Sequence, residues 1–127
     1  MLKLNMSRGK NQPDNHGVVE GEDGTFLIDD QFAPLTEKIV GAIKSVGGEH
    51  PRFLINTHYH GDHTGGNEKL GQGGTLIFSH DNVRERLKTG YFVEPFKMKQ
   101  AAVSKAGLPV VTFSVDSKID SSIRIRA

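Results

Sequence analysis

The sequence predicts an α/β domain with a mixed sheet and flanking helices. The order of elements along the chain is strand, strand, helix, strand, loop, strand, helix. Strands that alternate with helices in this way are typical of sheets joined by crossover connections. The length of 127 residues corresponds to one domain. The sequence shows no internal repeat and no region of distinct amino-acid composition.

The first elements are a hairpin and an amphipathic helix. Two β-type runs, residues 17–20 and 25–29, flank an Asp-Gly step that favours a hairpin turn. Pro34 suits the first turn of a helix, and Gly47-Gly48 ends it. The helix presents one apolar stripe, formed by Leu35, Ile39, Ile43 and Val46.

The later elements continue the α/β pattern. Residues 53–56 form an apolar run typical of a strand inside a sheet, and a glycine-rich loop with a short helical turn follows. Residues 75–78 predict a further strand, after which Asp81 is expected to cap a helix over 82–88. Residues 110–113 and 119–126 resemble two more strands. Residues 90–107 lack clean periodicity and fit surface packing better than a mobile flap over a site.

Composition excludes several classes of function. Lys plus Arg is 16 and Asp plus Glu is 15, so the net charge of +1 gives no electrostatic case for a nucleic acid or membrane partner. The absence of cysteine excludes a disulfide framework, a thiolate zinc site and a cysteine nucleophile. No apolar run approaches the roughly 20 residues of a membrane helix.

The polar residues 1–16 are expected to form a loose leader before a partial domain over 17–127. They contain no apolar core of the kind a signal peptide needs. The compartment therefore stays open. It is cytoplasmic by default, and periplasmic or secreted if the natural start of the protein lies upstream.

One segment carries the chemistry. Residues 58–63 read His-Tyr-His-Gly-Asp-His and follow a strand of the buried type. In an extended chain, residues two apart point the same way, so His58 and His60 can aim their imidazoles at one metal ion. Gly61 permits a sharp turn, after which Asp62 and His63 can face a second ion. A lone histidine is usually a surface or hydrogen-bonded residue, but this cluster favours metal ligation.

The spacing also indicates a reaction type. Two metals about 3.5–4 Å apart can share a bridging hydroxide, which is a nucleophile at neutral pH. Gly65-Gly66 permits close approach of the backbone and begins a helix. The N–H groups at the start of that helix are expected to face a metal-bound anion.

Residues 57–67 resemble the signature of the metallo-β-lactamase-fold superfamily of metallohydrolases. Residues 21–30 look like the early hairpin of that family, and residues 75–81 look like its next strand, histidine and helix. Residues 28–35 and 55–60 are especially similar to a branch of bacterial zinc hydrolases. The resemblance implies the N-terminal half of a four-layer αββα sandwich.

The resemblance also implies roles for the motif residues. His58 and His60 would hold a first Zn²⁺ ion, and Asp62 and His63 a second, giving one or two ions per complete site. Asp62 would also be catalytic, by orienting the attacking hydroxide. The implied activity is hydrolysis of an ester, thioester, amide or lactam in a small-molecule substrate. His63 is the residue found in members with two histidine-rich sites, such as glyoxalase II.

Two further residues match the family's pattern. Asp29 would brace the motif loop by accepting hydrogen bonds, the alternative being a plain turn carboxylate. His80 follows a strand, as in the family, where it is usually structural.

The chain departs from the family after the motif. The family completes its metal sites with two more histidines and a bridging aspartate, but no histidine follows His80. Asp116 and Asp120 lack the Gly-Asp context of the bridging residue, and His16 and His50 precede the motif. These gaps predict a truncated domain with an incomplete site and an exposed apolar sheet face that a homo-oligomer could cover.

Three interpretations stay open. The first is the N-terminal portion of a zinc hydrolase, inactive or weakly active alone. The second is a self-associating half whose two copies lend motifs to each other. The third is a non-catalytic metal-binding or interaction domain. Bound zinc per chain, measured together with oligomer mass, would separate them.

Overall fold

The fold is built around a mixed β-sheet. The computed structural model describes residues 2–7, 13–93, 97–114, 117–120 and 123–125. The described strands are β1 (Leu2–Ser7), β2 (Pro13–Gly21), β3 (Gly24–Ile28), β4 (Phe53–Ile55), β5 (Leu76–His80), β6 (Tyr91–Val93), β7 (Met98–Gln100), β8 (Val111–Phe113), β9 (Ser117–Asp120) and β10 (Ile123–Ile125). The helices are α1 (Ala33–Ser45), α2 (Gly61–Thr64), α3 (Asn67–Gln72) and α4 (Asp81–Thr89), with a 3₁₀ turn at Lys105–Gly107.

The main sheet has six strands in the order β1-β2-β3-β4-β5-β8. Strands β1, β2 and β3 pair antiparallel, whereas β3, β4, β5 and β8 run parallel. Two further antiparallel pairs of strands, β6 with β7 and β9 with β10, lie outside this sheet. Because the carboxyl ends of parallel strands meet at one edge of a sheet, the loops that follow β3, β4 and β5 come together.

One face of the sheet packs on helices and forms the core. Side chains from the strands meet side chains from α1 and α3 in a buried cluster of Val18, Leu27, Leu54, Ile77, Ile39, Ile43 and Leu70. Strand partners Leu27, Leu54 and Ile77 lie side by side in the parallel register. Because this face of α1 is buried in the cluster, its apolar residues recur at helical spacing, and the sequence therefore predicts the helix.

The other face of the sheet is apolar and partly open. The rings of Phe26 and Phe53 stack with centroids 4.5 Å apart, and Phe53 meets Phe78 edge to face at 5.9 Å. Leu76 and Val111 extend this face and are each 44% exposed. The face therefore presents a continuous apolar surface across β3, β4, β5 and β8.

The predicted α/β class, the hairpin and the first helix are confirmed. The turn at Glu22 and Asp23 joins β2 to β3, and Gly24 adopts a φ of +116°. Helix α1 has proline in its first turn and ends before Gly47, whose φ is +90°. Val46 differs from the prediction, since it caps the helix and is 56% exposed.

Three expectations differ from the structure. Regular structure was expected from Gly17, but β1 pairs with β2 over residues 2–7 and 13–18; the division into a leader and a partial domain stays a prediction. Residues 119–126 were expected to form one strand, yet β10 pairs antiparallel with β9. The cap of α4 is His80 rather than Asp81, because the His80 Nδ1 atom accepts from the Asn82 N–H at 3.0 Å.

The helices of the described residues include none that is long and apolar enough to span a bilayer.

Two glycines allow the motif segment to pack against the start of α1. A Cβ atom at Gly65 would lie 2.7 Å from Phe32 Cα and 2.8 Å from the Gln31 carbonyl oxygen. A Cβ atom at Gly66 would lie 2.2 Å from Thr36 Oγ1. Because backbone atoms surround Gly65, a side chain there cannot be accommodated by a change of rotamer.

We predict that Gly65→Ala lowers the free energy of unfolding by about 2 kcal/mol or more, because overpacking of this kind displaces backbone. Gly41→Ala is the matched control, since Gly41 is exposed in α1 and a Cβ there would meet nothing within 4 Å. That control should raise the free energy of unfolding by up to about 1 kcal/mol, because alanine favours a helix more than glycine does. Urea unfolding of both variants checks this, and equal stability of the two would contradict the close approach.

Candidate metal centre

The motif lies at the carboxyl-end edge of the parallel strands. Asp29 follows β3, Thr57 and His58 follow β4 closely, and His80 ends β5. The backbone N–H of Asp29 donates to the Ile55 carbonyl at 2.9 Å, which continues the pairing of β3 with β4. Ligands commonly bind at this edge in open α/β sheets.

The chain bends sharply within the motif. His60 is extended, with φ −62° and ψ 146°, and it immediately precedes the short helix α2. The backbone N–H groups of His63 and Thr64 both donate to the His60 carbonyl, at 2.9 and 3.1 Å. This bend brings the His58 ring within 5.0 Å of the His60 ring and within 4.0 Å of the His63 ring, measured between centroids.

The structure brings all four predicted ligands together. In the described residues, one group with ligand atoms within 4.8 Å of one another contains His58, His60 and Asp62. A second such group contains Asp29, His58 and His63. The grouping differs from the two separate pairs that the motif suggested, because His58 belongs to both groups.

Asp29 braces the motif loop, as the family's pattern implies. Its carboxylate accepts from the Thr57 backbone N–H at 2.8 Å and from the Thr57 hydroxyl at 2.6 Å. It also accepts from His63 Nδ1 at 2.9 Å. Asp29 is buried and adopts the left-handed φ of +58°, a conformation that aspartate tolerates better than most residues.

These contacts set the orientation of two histidine rings. Because His63 Nδ1 donates to Asp29, its Nε2 atom faces Asp62 Oδ2 at 3.3 Å. The Thr57 hydroxyl gives its proton to Asp29, so at 2.9 Å it accepts from His58 Nδ1. Both rings then carry the lone pair on Nε2, the arrangement that a metal-binding histidine needs.

The donor set fits zinc. Imidazole nitrogen and carboxylate oxygen are zinc ligands, and zinc binds the neutral form of histidine. Burial lowers the pKa of His58, and the neighbouring His63 and His60 lower it further against the opposing effects of Asp29 and Asp62. His58 is thereby held in the neutral form that a metal requires.

Asp30 holds the far end of the motif. The Gly66 N–H donates to Asp30 Oδ1 at 3.0 Å, and the Asp30 N–H donates to the His63 carbonyl at 3.0 Å. The expectation that the N–H groups at the start of this helix face a metal-bound anion is therefore wrong for Gly66, because the Asp30 carboxyl lies there. Burial raises the pKa of Asp30 well above its ordinary value, and Asp29 raises it further.

Sequence analysis missed three further residues at the site. Asn56 and Asn67 are buried and exchange side-chain amide hydrogen bonds at 3.1 and 2.7 Å, which tie the end of β4 to the start of α3. The Tyr91 hydroxyl donates to the Tyr59 carbonyl at 3.1 Å. Because Asn56 directly follows an apolar strand, the sequence could have indicated that it is buried, but not that Asn67 is its partner.

Two histidines outside the motif, His50 and His80, have other contacts. His80 caps α4 through Nδ1, and its Nε2 atom lies 3.1 Å from the Ser114 carbonyl, which fits the structural role the resemblance implied. His50 lies beside Gly73, on a groove between α1 and α3.

The histidines and aspartates at the carboxyl-end edge of the mixed sheet form a cluster that could hold a metal ion, on an α/β fold. Comparison with family models makes the assignment specific, since the model of the metallo-beta-lactamase superfamily matches residues 12–120. The chain belongs to this superfamily. A comparison with curated proteins found no significant match.

Solved structures show the same fold. A metallo-beta-lactamase from Cronobacter sakazakii with an HARLDQ motif aligns with a TM-score of 0.68 and 16% identity, over 83% of this chain and 42% of its own. The subclass B3 metallo-beta-lactamase BJP-1 of Bradyrhizobium japonicum aligns with a TM-score of 0.68 and 20% identity, over 84% of this chain and 42% of its own. The metallo-beta-lactamase GOB-18 of Elizabethkingia meningoseptica aligns with a TM-score of 0.68 and 18% identity, over 84% of this chain and 42% of its own. The chain spans less than half the length of these structures.

We predict that Asp29→Asn weakens zinc binding about tenfold or more, as expected when a residue that orients metal ligands is changed. One carboxylate oxygen of Asp29 accepts from the Thr57 N–H, and the other accepts from both the Thr57 hydroxyl and His63 Nδ1. An asparagine amide has a single accepting oxygen, so it cannot make all three hydrogen bonds, and the hold on the two rings is weakened. Competition with a chromophoric chelator measures the affinity. Asp81→Asn, outside the site, is the control, and equal affinities for the two variants would contradict the role of Asp29.

We predict that Asp30→Asn is more stable than the parent chain at pH 7. A carboxyl whose pKa is raised by folding keeps its proton in the folded state, so the free energy of unfolding falls as pH rises above about 4, the ordinary aspartate value. Because asparagine is neutral at every pH, the free energy of unfolding of the variant does not fall in this way. Urea unfolding from pH 4 to 8 measures the difference, which should grow with pH. Asp23→Asn in the exposed turn is the matched control. A free energy of unfolding for Asp30→Asn that keeps a constant difference from that of the parent chain over this pH range would contradict the effect.

Proposed function

We propose that this chain carries the metal-binding motif of a zinc-dependent hydrolase. The observation that supports this most strongly is the convergence of His58, His60 and Asp62, whose ligand atoms lie within 4.8 Å of one another. His63 adds a fourth ligand, because its Nε2 atom faces Asp62. Membership of the metallo-beta-lactamase superfamily supports the same proposal.

The residues divide into ligands and supports. We assign His58 and His60 to a first zinc ion, and Asp62 and His63 to a second. Zinc supplies Lewis acidity when bound and lowers the pKa of a water molecule to near neutrality. Asp29 orients two of the ligand rings through Thr57 and His63, and Asp30 holds the backbone at both ends of the segment between His63 and Gly66.

Asp62 is the proposed catalytic residue. Its side chain is 38% exposed, so the carboxylate is reachable by solvent and by a small-molecule substrate. One carboxylate oxygen faces His63, and the other can accept a hydrogen bond from the attacking hydroxide and so orient it toward a carbonyl carbon.

The proposed substrate is a small molecule with an ester, thioester or amide carbonyl, including a lactam, as the resemblance to the metallo-beta-lactamase superfamily implies. The solved structures of similar fold are described as metallo-beta-lactamases, so a lactam is one substrate to test. Because the chain spans 42% of those structures, the activity, substrate and partners of the whole protein are proposals.

A second candidate is a non-catalytic metal-binding half-domain that self-associates. The open apolar face formed by Phe26, Phe53, Phe78, Leu76 and Val111 favours it, because such a surface is usually covered by a partner. A dimer that contains stoichiometric zinc and hydrolyses neither a lactam nor a thioester supports this candidate. A zinc-containing chain that hydrolyses either substrate supports the first.

We predict that His60→Ala sharply reduces the zinc content of the chain, because it removes one of the clustered ligands. Plasma mass spectrometry of the purified chain, with the oligomer mass determined in parallel, checks this. His50→Ala is the matched control, since His50 lies outside the cluster and its loss should leave the zinc content unchanged. A His60→Ala variant that retains the zinc content of the parent would overturn the proposed site.

A further inference from the structure

Strand β6 lies against the bend of the metal motif. The Tyr91 ring packs edge to face on the Tyr59 ring, with centroids 4.8 Å apart. The Tyr91 hydroxyl donates to the Tyr59 carbonyl at 3.1 Å. The ring and the hydroxyl of Tyr91 therefore both contact the residue that immediately precedes His60.

His60 needs such support more than the other histidines do. Thr57 orients the His58 ring, and Asp29 orients the His63 ring. Among the residues that the structure describes, no hydrogen bond to the His60 ring is seen, and His60 is exposed. The direction of this imidazole is therefore set mainly by its backbone and by the two rings beside it, those of Tyr59 at 4.8 Å and of His58 at 5.0 Å.

The base of β6 is well anchored. Gly90 precedes it with a φ of +78°, and a Cβ atom there would lie 2.6 Å from the Gln100 carbonyl oxygen. The Val103 N–H donates to the Leu87 carbonyl at 2.9 Å, which ties the following segment to α4. The Arg86 guanidinium of α4 lies 5.2 Å from the centre of the Tyr59 ring. Tyr91 therefore lies directly after a residue that packs closely against the Gln100 backbone.

We propose that Tyr91 is a positioning residue for His60: its hydroxyl, bonded to the Tyr59 carbonyl, holds the bend that keeps the His60 imidazole within the metal cluster. This inference rests on the proposed function, because it concerns the same site. It gives residues 90–93 a role that the surface packing expected from the sequence did not include.

The ionisation of the phenol agrees with that role. Burial raises the pKa of Tyr91, and Tyr59 and Asp62 raise it further, whereas the Gly61 N–H lowers it. The hydroxyl consequently keeps its proton over the neutral range and remains able to donate to the Tyr59 carbonyl.

Tyr91→Phe tests the proposal, because it keeps the ring packing and removes only the hydroxyl. We expect zinc affinity, measured by chelator competition on the 127-residue chain, to fall about tenfold, the lower end of the range for residues that orient metal ligands. The absorption spectrum of the cobalt(II)-substituted variant should also change, since a displaced imidazole alters the ligand field. Phe92→Leu, at an exposed position of the same strand, is the matched control and should change neither quantity.

The outcomes separate this inference from the proposed function. A parent chain that binds no zinc overturns the proposed function. A parent that binds zinc, with a Tyr91→Phe variant of equal affinity and identical cobalt spectrum, overturns only the role of Tyr91. A variant whose metal-free melting temperature falls while its affinity and spectrum match the parent's assigns Tyr91 to stability alone, and also overturns the inference.

Discussion

The candidate site depends on one carboxylate, that of Asp29. It accepts from the Thr57 N–H, the Thr57 hydroxyl and His63 Nδ1, all within 2.9 Å. These bonds join the end of β3 to the loop after β4 and to α2, so a single buried group links three parts of the chain. They also fix which nitrogen of His58 and His63 carries the proton. Without this carboxylate, the rings would have no common orientation toward a metal ion.

The rest of the fold brings Asp29 to the motif. Parallel pairing of β3 with β4 places their carboxyl ends side by side, and the core beneath them holds that register. Gly65 and Gly66 then allow the motif segment to approach the backbone of Gln31 and Phe32 and the side chains of Asp30 and Thr36. Asp30 is buried with a raised pKa, a destabilising arrangement retained where the chain orients its ligand cluster.

Local patterns in the sequence explain why much of this could be predicted. The stripe of α1, the hairpin before it and the histidine spacing are short-range signals, and each is present in the structure. Contacts between distant segments have no such signal. Asp30 with Gly66, Asn56 with Asn67, and Tyr91 with Tyr59 are separated by 36, 11 and 32 residues. Local propensity also assigned the cap of α4 to Asp81, whereas the ring of the preceding His80 occupies that position.

X-ray absorption at the zinc edge tests the central claim most directly, because it reports the atoms around the ion. The account predicts that the zinc-loaded chain shows a first shell of nitrogen and oxygen at about 2.0–2.1 Å, with the outer-shell scattering that imidazole rings produce. Zinc surrounded by oxygen alone, without imidazole scattering, would contradict the assignment of His58, His60 and His63 as ligands.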